Sequence, residues 1–256
     1  MTPKLVKKLA DKKYRRETGL FLVEGEKNIT ELLASDFVVH SIYGTPDFLE
    51  QLRDALLTYQ KSRSVSVKLI SVKEDELVKM GTRETNNAGI AVAEMKKISP
   101  SIKELAISAK KEFILVLDDV RDPGNLGTII RLADWFGITH VVASETTTDI
   151  YNPKTIAATM GSFTRVTVTY VDLQEFLPLL DREEIPVMGA YLDGVNIHEA
   201  KLPKYGALLM GSESHGVSND LAHFVTMKVT IPRWGWAESL NVSVATGILL
   251  DALRRG

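Results

Sequence analysis

The 256-residue chain contains no cysteine, which excludes disulfides, thiolate nucleophiles and cysteine-built zinc sites. Its five histidines, at positions 40, 140, 198, 215 and 223, follow no metal-ligand spacing, so no metal is expected. No apolar run approaches the roughly 18 residues a membrane helix requires, and the basic N-terminus lacks the apolar stretch of a signal peptide. The expected location is therefore the cytoplasm. Internal repeats and low-complexity segments are missing as well. Net charge is only −2, a value that by itself points to no class of partner.

What is present is the composition of an ordinary globular protein, 45% hydrophobic and 25% charged, enough to bury substantial cores. The length suits two domains at about 100–200 residues each. Charge is unevenly spread: residues 1–110 hold 19 Lys and Arg against 15 Asp and Glu, whereas 111–256 hold 12 against 18. Seven of the basic residues crowd into positions 1–16, among them Lys12, Lys13, Arg15 and Arg16. Such an end matches the phosphate backbone of RNA, and those four residues are the expected contacts. A solvated helix face is the plainer alternative.

The chain divides at 96–111, where Lys96, Lys97, Ser99, Pro100, Lys110 and Lys111 cluster and predict a linker. Ahead of it, residues 1–95 read as a small α+β domain. Its expected elements are a basic helix over 4–13, strands over 19–25, 37–42, 65–70 and 89–93, and helices over 28–34, 46–59 and 75–80. Behind it, residues 112–256 alternate strand and helix. The apolar run from Phe113 to Leu117 opens the series, and strands over 140–143, 165–169, 187–191, 207–210 and 228–231 follow. Helices are expected near 126–136, 153–161, 173–180, 218–222 and 242–255. That alternation predicts an α/β domain with a mostly parallel sheet covered on both faces.

Three segments place polar side chains after the C-terminal ends of strands, the edge where open α/β sheets bind ligands. The first, Asn125-Leu-Gly-Thr-Ile-Ile-Arg131, has Asn125 at the expected N-cap of a helix and Arg131 one and two-thirds turns further on. Its surroundings, Asp122-Pro-Gly-Asn-Leu-Gly127, lack the G-x-G-x-x-G order of a dinucleotide site, and no phosphate loop occurs anywhere. The second, Gly211-Ser-Glu-Ser-His-Gly216, sets Glu213 between glycines where a backbone must turn sharply or approach a ligand. The third, Ile231-Pro-Arg-Trp-Gly-Trp-Ala-Glu-Ser-Leu-Asn-Val-Ser-Val-Ala245, puts Ser239 and Asn241 at the mouth of a helix beginning near Val242. Unpaired backbone N–H groups gather there and suit a polar ligand. Taken singly, each segment also reads as a capped helix or a plain loop.

In this order the three resemble motifs 1, 2 and 3 of the SpoU/TrmH branch of the knotted SPOUT RNA methyltransferases. The likeness spans essentially the whole chain and is most specific over 113–255. It implies a trefoil knot in the domain 112–256, a topology that sequence rules would not suggest. The domain 1–95 resembles the ribosomal-protein-like RNA-binding domain of these enzymes in Lys13-Tyr-Arg-Arg16, Phe21-Leu-Val-Glu-Gly25 and Gly89-Ile-Ala-Val92. The resemblance implies S-adenosylmethionine as cofactor, held by Gly211, Ile231 and Leu240 mainly through backbone groups. Arg131 corresponds to the family's catalytic arginine, helped by Asn125, Glu213, Ser239 and Asn241. A guanidinium, with a pKa above about 12, is a poor base at neutral pH, so proton acceptor and orienting group both stay open as its role. The implied function is 2′-O-ribose methylation of RNA, with 23S ribosomal RNA the expected substrate. Transfer RNA as substrate, and RNA binding without catalysis, are the alternatives. The family also implies a homodimer through the C-terminal domain, to which Ile248, Leu249 and Leu253 would offer apolar area. Two departures from the family pattern are Ser214, where glycine is usual, and Arg233-Trp234, where methionine commonly follows Ile-Pro.

Overall fold

The structure, a computed structural model, describes residues 2–96 and 100–255. Lys97 and Ser99 of the expected linker lie outside the described residues. The chain forms two compact units, Met1–Lys97 with Asp149–Arg165, and Ile98–Thr148 with Val166–Gly256.

The first unit begins with two short helices, α1 (Pro3–Lys8) and α2 (Lys12–Thr18), where one helix was expected over 4–13. The break falls at Asp11, whose side chain accepts the Tyr14 amide at 3.0 Å and so caps a new helix. Gly19, left-handed at φ 68°, closes α2. Then follow β1 (Leu20–Glu24), α3 (Glu26–Leu33), β2 (Val39–Gly44), α4 (Pro46–Gln51), α5 (Arg53–Arg63), β3 (Lys68–Ser71), α6 (Glu74–Met80) and β4 (Gly89–Glu94). The sheet order is β1-β4-β2-β3, with β4 antiparallel to both neighbours and β2 parallel to β3. Successive side chains of β1 point to opposite faces, and both sets are buried. Leu22 packs with Ile90, Val92, Val6 of α1 and Leu77 of α6. Phe21 meets Phe37, Tyr151 and Phe163, with ring centroids 5.6, 4.6 and 6.1 Å away. The last two rings belong to Asp149–Arg165, a stretch that the strand-helix alternation assigned to the second domain but whose contacts group it with the first unit. Apolar residues such as Tyr151 and Phe163 satisfy any apolar partner, so the pattern had no means of saying which core they enter.

The second part of the chain runs α7 (Ile102–Ala109), β5 (Phe113–Leu117), α8 (Pro123–Trp135), β6 (His140–Ser144), α9 (Pro153–Thr159, in the stretch just described), β7 (Thr167–Val171), α10 (Leu173–Arg182), β8 (Val187–Asn196), β9 (Gly206–Met210), α11 (Asn219–Ala222), β10 (Met227–Thr230) and α12 (Val242–Arg255). Helix α7 corrects the linker expected over 96–111. Ser101 and Glu104 form a capping box, each side chain accepting the other's amide at 3.3 and 2.7 Å, and Leu105, Ala106 and Ala109 enter the core. The six strands lie in the order β10-β8-β9-β5-β6-β7, and every pair is parallel. One face packs Ile114 and Val116 of β5 with Phe176 and Leu177 of α10. The alternate residues Phe113, Leu115 and Leu117 are buried as well, so both faces are covered as expected, and α12 packs along α8. The chain leaves β5 towards β6 but leaves β9 towards β10, on opposite sides. That reversal opens a crevice at the carboxyl ends of the two adjacent strands.

Candidate active site

The loops after β5 and β9 are tied together at the crevice by Asp118. This buried residue donates its amide to Met210 O at 2.9 Å, and its Oδ2 accepts the Ser218 amide at 2.8 Å. Helix α8 starts earlier than expected. Asp122, not Asn125, is its N-cap, accepting the Asn125 amide at 2.8 Å, and Pro123 occupies the first turn. The side chain of Asn125 is thereby free for other partners.

Those partners come from the other two motifs. Asn125 Nδ2 donates to Glu213 Oε1 at 2.7 Å, and Asn125 Oδ1 accepts from Asn241 Nδ2 at 2.9 Å. The ends of this relay dictate both amide orientations. Asn241 Oδ1 is occupied in capping α12, accepting the Ser243 amide at 2.9 Å and the Ser243 hydroxyl at 2.6 Å, so its nitrogen faces Asn125. At the other end a carboxylate only accepts, so Asn125 presents its nitrogen to Glu213.

Glu213 also lines a cavity of about 830 Å³ whose wall includes Gly211, Ile231, Ser239 and Leu240. The three residues expected to hold a cofactor therefore meet in one place. A Cβ on Gly211 would strike the Gly216 carbonyl and the Val217 nitrogen. Only glycine lets the loop close through its paired Ser212–Gly216 backbone bonds of 3.0 and 2.9 Å. Ser214 is no obstacle to that turn, because the left-handed position is Gly216, at φ 67°, and not residue 214.

Another wall of the cavity carried no motif. The ladder between β8 and β10 jumps from Gly189 opposite Lys228 to Val195 opposite Val229, leaving residues 190–194 outside it. Ala190, Tyr191, Leu192 and Asp193 line the cavity from this slip. Burial, with the negative Asp193 and Asp118 adding to it, raises the Tyr191 hydroxyl above its usual pKa. That buried hydroxyl has no hydrogen-bond partner among the described residues. The one sequence signal was Gly194, where a Cβ would run into the backbone of Lys228 and Val229.

Arg131 does not join the relay. It lies six residues beyond Asn125 on α8, about 9 Å along the axis and about 120° around it. It is exposed, and its side chain makes no ion pair or hydrogen bond among the described residues. Lys12, Lys13 and Arg16 are exposed too. Arg15 corrects the expectation of four RNA contacts, being only 2% exposed. Its Nη1 donates to Leu9 O and Ala10 O at 2.9 and 2.8 Å, and its Nη2 pairs with Asp149 at 2.6 Å. It satisfies carbonyls at the end of α1, and its one unpaired nitrogen, Nε, is buried out of reach of a phosphate. Leu249 and Leu253, expected to offer dimer area, are buried within the chain, whereas Val244 of α12 and Trp135 of α8 are exposed. Among the described residues no cluster of His, Asp or Glu could hold a metal ion, and no helix is long and apolar enough to cross a membrane.

Residues 112–251, more than half the chain and every residue of the relay and the cavity wall, match the SpoU rRNA Methylase family. The chain belongs to this family. Ahead of the SpoU region, residues 3–91 match the MRM3-like substrate binding domain. Among SpoU relatives, the 23S rRNA (guanosine(2553)-2′-O)-methyltransferase RlmP of Bacillus subtilis (strain 168) is 33% identical over 249 residues, covering 97% of this chain and 94% of the relative. The 23S rRNA (uridine(2479)-2′-O)-methyltransferase of Streptomyces viridochromogenes is 28% identical over 96% of this chain and 87% of its own length. The AdoMet-bound rRNA methyltransferase from Sinorhizobium meliloti superposes with a TM-score of 0.82 at 30% identity, over 99% of this chain and 94% of that one.

Proposed function

We propose that this chain transfers a methyl group from S-adenosylmethionine to a ribose 2′-hydroxyl of 23S ribosomal RNA. The observation that carries the reading is the Glu213–Asn125–Asn241 relay, which reaches through Glu213 the wall of a cavity lined by Gly211, Ile231 and Leu240. The cavity suits the donor chemically. Ile231, Leu240, Val242 and Leu249 offer an apolar wall to a purine, the backbone of the two loops offers N–H and C=O groups to its polar edge, and the carboxylates of Glu213 and Asp193 favour a cation. When bound, S-adenosylmethionine supplies a methyl group activated by its sulfonium charge. The protein's share is then alignment, with the hydroxyl's proton released to water. Asn125, with Glu213 and Asn241 fixing its orientation, and Ser239 on the cavity wall are the polar groups we assign to positioning the ribose.

Arg131 we assign to the substrate side of the site. A guanidinium holds its proton at neutral pH, so its part is to orient the hydroxyl and an RNA phosphate through charge-assisted bonds. Its exposure and freedom from partners among the described residues fit that part. Residues 1–95 serve as the ribosomal-protein-like RNA-gripping domain in this reading, with Lys12, Lys13 and Arg16 on phosphates, and 112–256 as the catalytic domain. The passage of the chain from Asn241 into α12 is read as part of a trefoil knot. Trp135 and Val244 are the apolar residues assigned to a homodimer contact, and the cytoplasm is where such a substrate is met. Calorimetry with S-adenosylmethionine, followed by tritium transfer to unmodified 23S rRNA and to tRNA, tests the assignment. Label in rRNA is expected. Label in tRNA alone would move the substrate to tRNA, and donor or RNA binding without transfer to either would leave a non-catalytic RNA-binding protein.

A further inference from the structure

We propose that Trp234 and Trp236 form a stacking platform for bases of the RNA beside the target ribose, an inference that rests on the reading of the chain as an RNA 2′-O-methyltransferase. Tryptophan is among the residues most buried on average, yet Trp234 is 88% exposed and Trp236 99%. Neither ring is needed to hold its own loop. Arg233 Nη1 donates to Ala237 O at 3.2 Å, so a side-chain bond bridges the residues that bracket the pair. Nothing lies within 4 Å of where a Cβ would sit on Gly235 between them, so the tip of the loop carries no cover from the rest of the chain. Trp234 lines the cavity together with Arg233 and Gly235, which makes its indole continuous with the place where the methyl group would be transferred, and Trp236 follows two residues on in the same loop.

What occupies such a surface must be flat, apolar on its faces and present whenever the cavity is used. A nucleobase of the substrate meets all three conditions. A ribose can enter a pocket only if its nucleotide leaves its stack, and the stacking given up with the neighbours is offset by stacking on protein rings. Aromatic side chains accept any base because every base has a π face. Two residues separated by one other are at most about 7 Å apart along the chain, twice the rise of about 3.4 Å between successive bases. The pair therefore spans one base held between rings or two neighbouring nucleotides. The guanidinium of Arg233 adds a cation beside the same bases.

The test uses the full chain and intrinsic fluorescence. The chain has three tryptophans, so Trp135→Phe leaves Trp234 and Trp236 as the only reporters. Their emission should be that of water-exposed indole in the free protein and should be quenched on titration with unmodified 23S rRNA fragments. Replacing both by alanine should raise KM for rRNA by about 10–100-fold, the equivalent of about 1–3 kcal/mol of stacking per base, with Tm unchanged. Replacing both by phenylalanine should recover most of that loss. An unchanged KM in the double alanine variant, or methyl transfer without quenching, would overturn the platform. So would blue-shifted emission that depends on protein concentration in the absence of RNA, since a second copy of the chain would then cover the rings. Quenching without methyl transfer by the parent protein would keep the platform as an RNA-binding surface and remove the enzymatic reading instead.

Discussion

Arg15 on α2 and Arg131 on α8 carry the same side chain into opposite surroundings. Around Arg15 the chain supplies two carbonyls and the Asp149 carboxylate, and the residue is buried among them. Around Arg131 the described residues supply no partner, and the guanidinium stands in solvent. The comparison separates two uses of positive charge that look identical among the basic residues of a sequence. A charge taken out of water must be paired and belongs to the fold, whereas one left exposed without a partner is available to a substrate. By the same criterion Lys12, Lys13 and Arg16 remain on the available side.

The largest expected effect breaks the comparison on the α8 side. Arg131→Ala should lower single-turnover methyl transfer to rRNA by on the order of 10²–10³, while donor binding by calorimetry and Tm stay at the parent values. Arg131→Lys should not rescue it, since an ammonium cannot hold hydroxyl and phosphate in one planar fork. Transfer near the parent rate in Arg131→Ala would reduce Arg131 to a surface residue.

Next in size is the opposite substitution. Arg15→Met should cost about 3 kcal/mol of stability in urea denaturation, because Asp149 and the carbonyls of Leu9 and Ala10 lose their partner. It should leave the salt dependence of RNA binding unchanged. Neutralising Lys12, Lys13 and Arg16 together should do the reverse, holding stability within about 0.5 kcal/mol and flattening the salt dependence by about 0.7–0.9 in slope for each phosphate no longer neutralised. A steep slope that survives all three changes would return them to the status of a solvated face.

The smallest effect calibrates the buried pair against a more accessible one. Hydrogen bonding from Lys27 lowers the Glu31 carboxyl below its usual pKa, with burial opposing and Arg165 assisting. A lowered folded-state pKa means that the stabilisation is complete above the unfolded value of about 4.5 and is lost as pH falls through the folded value. Glu31→Gln should therefore cost at most about 1 kcal/mol at pH 7, and the difference from the parent should shrink as the pH is lowered below about 4.5. A gap that persists unchanged at low pH would show that packing, not charge, is what Glu31 contributes.

Much of this was legible in the residues themselves. Short-range patterns located nearly every strand of the sheet, the glycine at 211 and the polar mouth of α12. They failed where two local signals competed. Asn125 and Asp122 are both good caps, and the upstream one won because Pro123 suits a first turn. In 96–111, lysines and proline read as a linker and obscured the Ser101–Glu104 box that begins α7. The outward placement of Arg131 agrees with its helical offset from Asn125, but nothing in that offset said whether a partner would meet it.

By itself, the sequence determined the α/β class, the order of the three motifs and the residues from which a site could be built, because alternation, capping and turn chemistry are each written within a few neighbouring positions. Only the tertiary structure decided that Asn125 bridges Glu213 and Asn241, that β8 slips to open a cavity wall, that Asp149–Arg165 joins the first unit and that Arg15 is internal. Those outcomes depend on partners such as the residues 88 and 116 positions away that Asn125 meets. No local preference of a chain encodes which distant group will satisfy a polar atom or an apolar ring once water has been excluded.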